Sequence, residues 1–112
     1  MSQLTTHILD TSRGLPAENV TIVCYYGSND AWTEKARGTT NADGRLPALF
    51  DKDEILSPGL YKLRFETKDY FDRLQVQTFY PYVEIVFELT GAGHYHVPLL
   101  LNPFGYATYR GS

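Results

Sequence analysis

Apolar and polar residues alternate along much of the chain in short runs, and turn residues separate one run from the next. Leu4–Leu9 reads as a first strand, closed by the turn-rich stretch from Asp10 to Pro16. Val20–Tyr26 reads as a second, with Val20, Ile22 and Cys24 on one face, and Gly27 to Asp30 turns the chain into a third around Trp32–Arg37. Asn41-Ala-Asp43-Gly44 is a hairpin-type turn signal, followed by Arg45 and a short strand. Tyr61–Glu66 alternates cleanly: Tyr61, Leu63 and Phe65 are predicted inward, Lys62, Arg64 and Glu66 outward. Val83, Ile85, Phe87 and Leu89 mark a further alternating strand, and Tyr95–Leu101 and Tyr106–Tyr109 close the set. Lys68–Leu74 alone has helical spacing, with Asp69 near its start and Tyr70, Phe71 and Leu74 three and four residues apart. About seven or eight short strands with one short helix predict an all-β, two-sheet sandwich rather than a parallel α/β sheet.

Composition narrows the function classes. A chain of 112 residues is expected to form a single domain over residues 1–112, large enough for a real core. Ten basic residues against thirteen acidic ones, with no basic block, argue against a nucleic-acid partner. The longest apolar run, around Val97–Leu101, is far too short to span a bilayer, so no membrane partner is expected. The opening residues lack the basic and then apolar segments of a signal peptide, and Cys24 stands alone. A reducing compartment follows: the cytoplasm is expected, with the peroxisome as the alternative. Nine Tyr and six Phe favour strands over helices.

Candidate chemistry is concentrated near the end of the chain. His94–Ser112 holds two of the three histidines, two of the six prolines and a terminal Tyr109-Arg110-Gly111-Ser112. Strand alternation sends Tyr95, Val97, Leu99 and Leu101 to the interior and therefore drives His94 and His96 to the outer face. A single imidazole there is an ordinary solvated side chain. Pro98 and Leu100 share that face, however, which predicts a covered surface and hence a subunit interface. Histidine is the group suited to moving protons near neutral pH. His7, His94 and His96 could also ligate zinc, although no cysteine or carboxylate cluster supports that use. Arg45 reads either as an exposed strand-start arginine or as a planar fork that orients a carbonyl-rich or anionic ligand.

Several segments together resemble a known family. They are Leu4-Thr-Thr-His7-Ile-Leu-Asp10, Asp43-Gly-Arg45, Gly59-Leu-Tyr-Lys62 with Tyr70-Phe71, Phe79-Tyr-Pro81, His94-Tyr-His96-Val-Pro-Leu-Leu-Leu101 and the terminal Tyr-Arg-Gly-Ser. In these the chain resembles, nearly end to end, the 5-hydroxyisourate hydrolases, the transthyretin-related enzymes of urate breakdown. Tyr25–Lys35 carries little of the resemblance. The resemblance implies a transthyretin-like sandwich and a homotetramer built as a dimer of dimers, with sites at the dimer–dimer interface. It implies hydrolysis of 5-hydroxyisourate to 2-oxo-4-hydroxy-4-carboxy-5-ureidoimidazoline without a cofactor or metal. His7, Arg45, His96 and Ser112 are implied as catalytic, the last with its free carboxylate, and His7, Arg45 and Tyr109 as substrate-binding. The same fold also suits a non-catalytic carrier of a small aromatic ligand, so the fold by itself leaves both readings open.

Overall fold

A computed structural model describes residues 2–112, so Met1 of the expected domain lies outside the described residues. Among these residues there are eight strands and one helix. They are β1 (Leu4–Asp10), β2 (Leu15–Pro16), β3 (Thr21–Ser28), β4 (Ala31–Thr39), β5 (Gly59–Phe65), α1 (Thr67–Arg73), β6 (Val83–Leu89), β7 (Tyr95–Asn102) and β8 (Gly105–Thr108). They form two four-stranded sheets, ordered β2-β1-β7-β8 and β4-β3-β5-β6. All neighbours are antiparallel except β1 and β7, which run parallel in the register Thr5 opposite His96 and His7 opposite Pro98. The inward faces supply the core: Leu4 and Ile8 from β1, Ile22 and Cys24 from β3, Leu63 and Phe65 from β5, Leu99 and Leu101 from β7. The expected two-sheet sandwich is the observed one.

Three local expectations are corrected. The short strand after Arg45 reduces to one bridge between Arg45 and His7 plus a Leu46 N–H donated to the Thr6 carbonyl. Pro47 follows and has no N–H with which to continue the ladder. The turn after β3 is only Asn29-Asp30, both at positive φ, the two-residue hairpin that matches the twist of its strands. Leu74 lies past the last turn of α1 and is exposed, so the helix buries Thr67, Tyr70 and Phe71 instead.

Helix α1 is tied to β1 by a buried polar group. Asp10 is fully buried, and its carboxylate accepts from the Tyr70 hydroxyl at 2.7 Å and from the Ser12 N–H at 3.0 Å. Arg13 donates to the same Tyr70 oxygen at 3.2 Å. A carboxylate so enclosed is tolerated because donors reach both of its oxygens.

Candidate active site

Parallel pairing of β1 with β7 brings the three histidines to one face of the first sheet. Leu4, Thr6 and Ile8 point inward, so Thr5 and His7 point outward, on the side shared by His96 and Pro98. There the side chains form a connected chain. His7 Nδ1 and His96 Nε2 share a hydrogen bond of 2.7 Å, and their rings stack with centroids 4.8 Å apart. His96 Nδ1 meets the Thr5 hydroxyl at 2.8 Å, and the same hydroxyl meets His94 Nε2 at 3.0 Å. His96 is buried, His7 half-buried and His94 exposed. A hydroxyl with one proton and two lone pairs is suited to sit between two ring nitrogens.

Arg45 is placed by its turn. Gly44 has φ +70°, and a Cβ there would stand 2.5 Å from the Ile8 carbonyl oxygen, which leaves glycine as the residue that fits. The Gly44 carbonyl accepts from the Ile8 N–H, and the side-chain oxygen of Asn41 accepts from the Arg45 N–H at 3.0 Å. Arg45 thus pairs with His7 while its side chain stays exposed.

The terminal segment arrives along the other edge of β7. β8 pairs Thr108 with Leu99, and in unbroken register Gly111 pairs with His96, the Gly111 N–H donating to the His96 carbonyl at 2.8 Å. The ladder is interrupted at Pro98, which has no N–H to offer. This register sets Tyr109 opposite Pro98, in line with His7, and Arg110 opposite Val97. Arg110 lies over the Tyr95 ring at 4.5 Å, on the inward face as the alternation requires. Gly111 rests on His96: a Cβ there would stand 2.7 Å from His96 Cδ2 and 3.2 Å from Pro98 Cγ. Tyr109 and Ser112 are exposed, and Ser112 directly follows Gly111.

Electrostatics favour neutral imidazoles. Burial, then the positive charge of Arg45, holds His7 below its ordinary pKa. Burial acts first on His96 too, followed by repulsion from His7, Arg45 and His94, against a smaller opposing effect of the Thr5 backbone. A neutral, hydrogen-bonded pair beside a guanidinium can take a proton from water and hold an anionic oxygen near its cation. The three rings are strung in a line and do not converge. Both nitrogens of His96 are turned to Thr5 and His7, and among the described residues no three His, Cys, Asp or Glu side chains form a metal cradle.

Of the expected site residues, the fold brings His7, Arg45 and His96 together, with Tyr109 and Ser112 on the strand extension beside them. Thr5 and Gly111 are the residues the sequence reading missed. Alternation already put Thr5 on the face of His7, two positions back. Its partner depends on the β1–β7 register.

The sequence profile of the HIUase/Transthyretin family matches residues 4–111. The chain belongs to this family. Within the family, it is 46% identical over 117 residues to the mouse 5-hydroxyisourate hydrolase, covering 99% of this chain and 96% of that one. The structure of Klebsiella pneumoniae 5-hydroxyisourate hydrolase is similar with a TM-score of 0.86 at 37% identity, covering 97% of this chain and 98% of that one. Sea bream transthyretin in complex with thyroxine is similar with a TM-score of 0.90 at 33% identity, covering 97% and 94%. The family thus holds both hydrolases and a thyroxine-binding protein, and the site's own chemistry has to separate the two uses.

Proposed function

We propose that the chain hydrolyses 5-hydroxyisourate, the labile product of urate oxidation, to 2-oxo-4-hydroxy-4-carboxy-5-ureidoimidazoline. The observation that carries this reading is the 2.7 Å contact between His7 and His96 beside Arg45. A carrier of an apolar ligand gains nothing from two imidazoles held neutral and hydrogen-bonded next to a cation. In the hydrolysis a ring carbonyl is attacked by water and the amide nitrogen is released. The His7–His96 pair takes a proton from the water and delivers one to the leaving nitrogen. Arg45 anchors the ring and stabilises the negative charge that develops on oxygen. Tyr109 hydrogen-bonds the substrate, and Ser112, next to Gly111, helps fix the histidine or the water. No cofactor enters this scheme: the substrate is already activated, and the demand is for orientation and proton transfer.

In this reading the protein is a homotetramer, a dimer of dimers, with sites between the dimers. The support is the outer face itself: Tyr109 is exposed there, and Leu100 is only half-buried. A second sheet face laid against it would exclude water from the histidines. No helix among the described residues is long and apolar enough to cross a membrane. A cytoplasmic setting fits the single cysteine, which is free and buried.

The deciding experiment is a spectrophotometric assay with freshly made 5-hydroxyisourate, with its spontaneous decay subtracted. Turnover that falls at least about a hundredfold in His7→Asn and His96→Asn supports the assignment. No enzymatic turnover by the wild type favours the carrier. Turnover that thorough chelation abolishes favours the zinc reading.

A further inference from the structure

The hydrolysis proposed above leaves His94 and Thr5 without a part, yet both are hydrogen-bonded into the catalytic pair. Four groups stand in sequence: His7, His96, Thr5 and His94, joined by contacts of 2.7, 2.8 and 3.0 Å. One end, His7 Nε2, faces no partner among the described hydrogen bonds. The other end, His94, is exposed and lines a cavity of about 260 Å³ together with Gln3, Lys52, Glu54 and Ile55. The middle members, Thr5 and His96, are buried. A buried file of donor-acceptor groups with an open end on solvent has the form of a proton path.

We propose that His7, His96, Thr5 and His94 form a proton relay linking the catalytic face to solvent, with Thr5 and His94 as its relay residues. The inference rests on the hydrolase reading. The file has two complementary polarities. In the first, His7 Nδ1–H donates to His96, His96 Nδ1–H to Thr5, and Thr5 O–H to His94 Nε2, which leaves His7 Nε2 bare as a base. When that nitrogen takes a proton from water, each member hands its own proton onward, and His94 gives one to solvent from Nδ1. The file then stands in the second polarity, with His7 Nε2–H ready as an acid. Delivery of that proton to the leaving nitrogen, with one proton re-entering at His94, restores the first.

The balance closes. Water adds across the C–N bond: a C–O bond forms, the C–N bond breaks and the nitrogen gains a proton. The new carboxylic acid ionises, because its ordinary pKa lies near about 4. At no stage does a full imidazolium have to persist beside Arg45, where charge repulsion opposes it. The excess charge leaves at His94, where the nearby groups are the exposed Lys52 and Glu54.

Thr5→Val removes the hydroxyl and keeps the shape, Thr5→Ser restores the hydroxyl, and His94→Gln keeps a polar group that carries no proton. With 5-hydroxyisourate, Thr5→Val and His94→Gln should lower kcat about tenfold at low buffer, with KM within about twofold. Rising concentrations of a small buffer such as imidazole should recover the rate. The wild type and Thr5→Ser should be indifferent to buffer. A loss that buffer does not relieve, or no loss, overturns the relay. A second measurement needs no turnover: ring-nitrogen NMR of the histidines across about pH 5–8. The relay predicts that His94 and His96 titrate as a coupled set in the wild type and separately in Thr5→Val. Identical curves in the two proteins overturn it. A wild type that is inactive on 5-hydroxyisourate but shows the coupled titration would overturn the substrate assignment and leave the relay standing.

Discussion

Arg45 bears on the histidine pair in two separable ways: in the proposed reaction it anchors the substrate, and its charge opposes protonation of the rings. Both His7 and His96 titrate below about 6.5 in the folded chain. The kcat/KM profile should therefore be flat near neutrality and fall only once pH drops below about 6.5. Removing the charge with Arg45→Gln should move that acid limb to higher pH, in addition to lowering the plateau. A limb that stays in place or moves to lower pH would show that the guanidinium does not set the pair's titration. The same sign governs stability. Unfolded histidines bind protons that the folded pair does not, so stability from this pair is present above about 6.5 and is lost as pH falls through the folded values. Gly111 is the other sensitive residue. Gly111→Ala puts a methyl 2.7 Å from His96 Cδ2, and the ring has to shift, which disturbs its contacts with His7 and Thr5. We expect kcat/KM to fall about tenfold to a hundredfold. The urea midpoint should barely change, because the substitution lies on an edge with little burial at stake. A wild-type rate in Gly111→Ala would mean that the ring position tolerates the shift.

Among the elements, α1 is held by the Asp10–Tyr70 contact more than by its own length. Seven residues make a marginal helix in water. Tyr70→Phe strips one donor from a buried carboxylate and should cost about 1–3 kcal/mol of unfolding free energy in urea titrations. A cost near zero would show that Ser12 alone satisfies Asp10. Alternation made β5 legible residue by residue, since Tyr61, Leu63 and Phe65 are buried where their period placed them. It failed after Arg45, where a strand pattern ran into Pro47. It failed at Leu74, because helical spacing does not reveal where the last turn stops. Thr5 exposes the deeper limit. Its face could be read from the sequence, but its contact with both His94 and His96 depends on a parallel pairing between the two ends of the chain. Local pattern carries no information about which distant strands become neighbours.

For the whole molecule, β6 and β8 are edge strands, at the sides of their sheets opposite to β4 and β2. Both edges carry exposed apolar groups, Val86 on β6 and Tyr106 on β8. Unpaired strand edges with apolar side chains are sites of association. Sedimentation should show a species of four chains, each of 12.7 kDa, and Val86→Lys should shift it toward smaller ones. Turnover per chain should fall as dilution separates the dimers. Constant turnover in a monomeric species would remove the proposed site from the interface.

The parallel pairing of β1 with β7 also bears on how the site comes into being. His7 and His96 are 89 residues apart in sequence, and the whole second sheet is laid down between them. Contacts of such long range form late, after the entropy of closing the intervening loop has been met. Half of the site therefore does not exist in half of the fold. A partly folded chain would hold each histidine as an isolated solvated ring with an ordinary affinity for protons. Activity during refolding should then track the final cooperative step alone, with no early fraction.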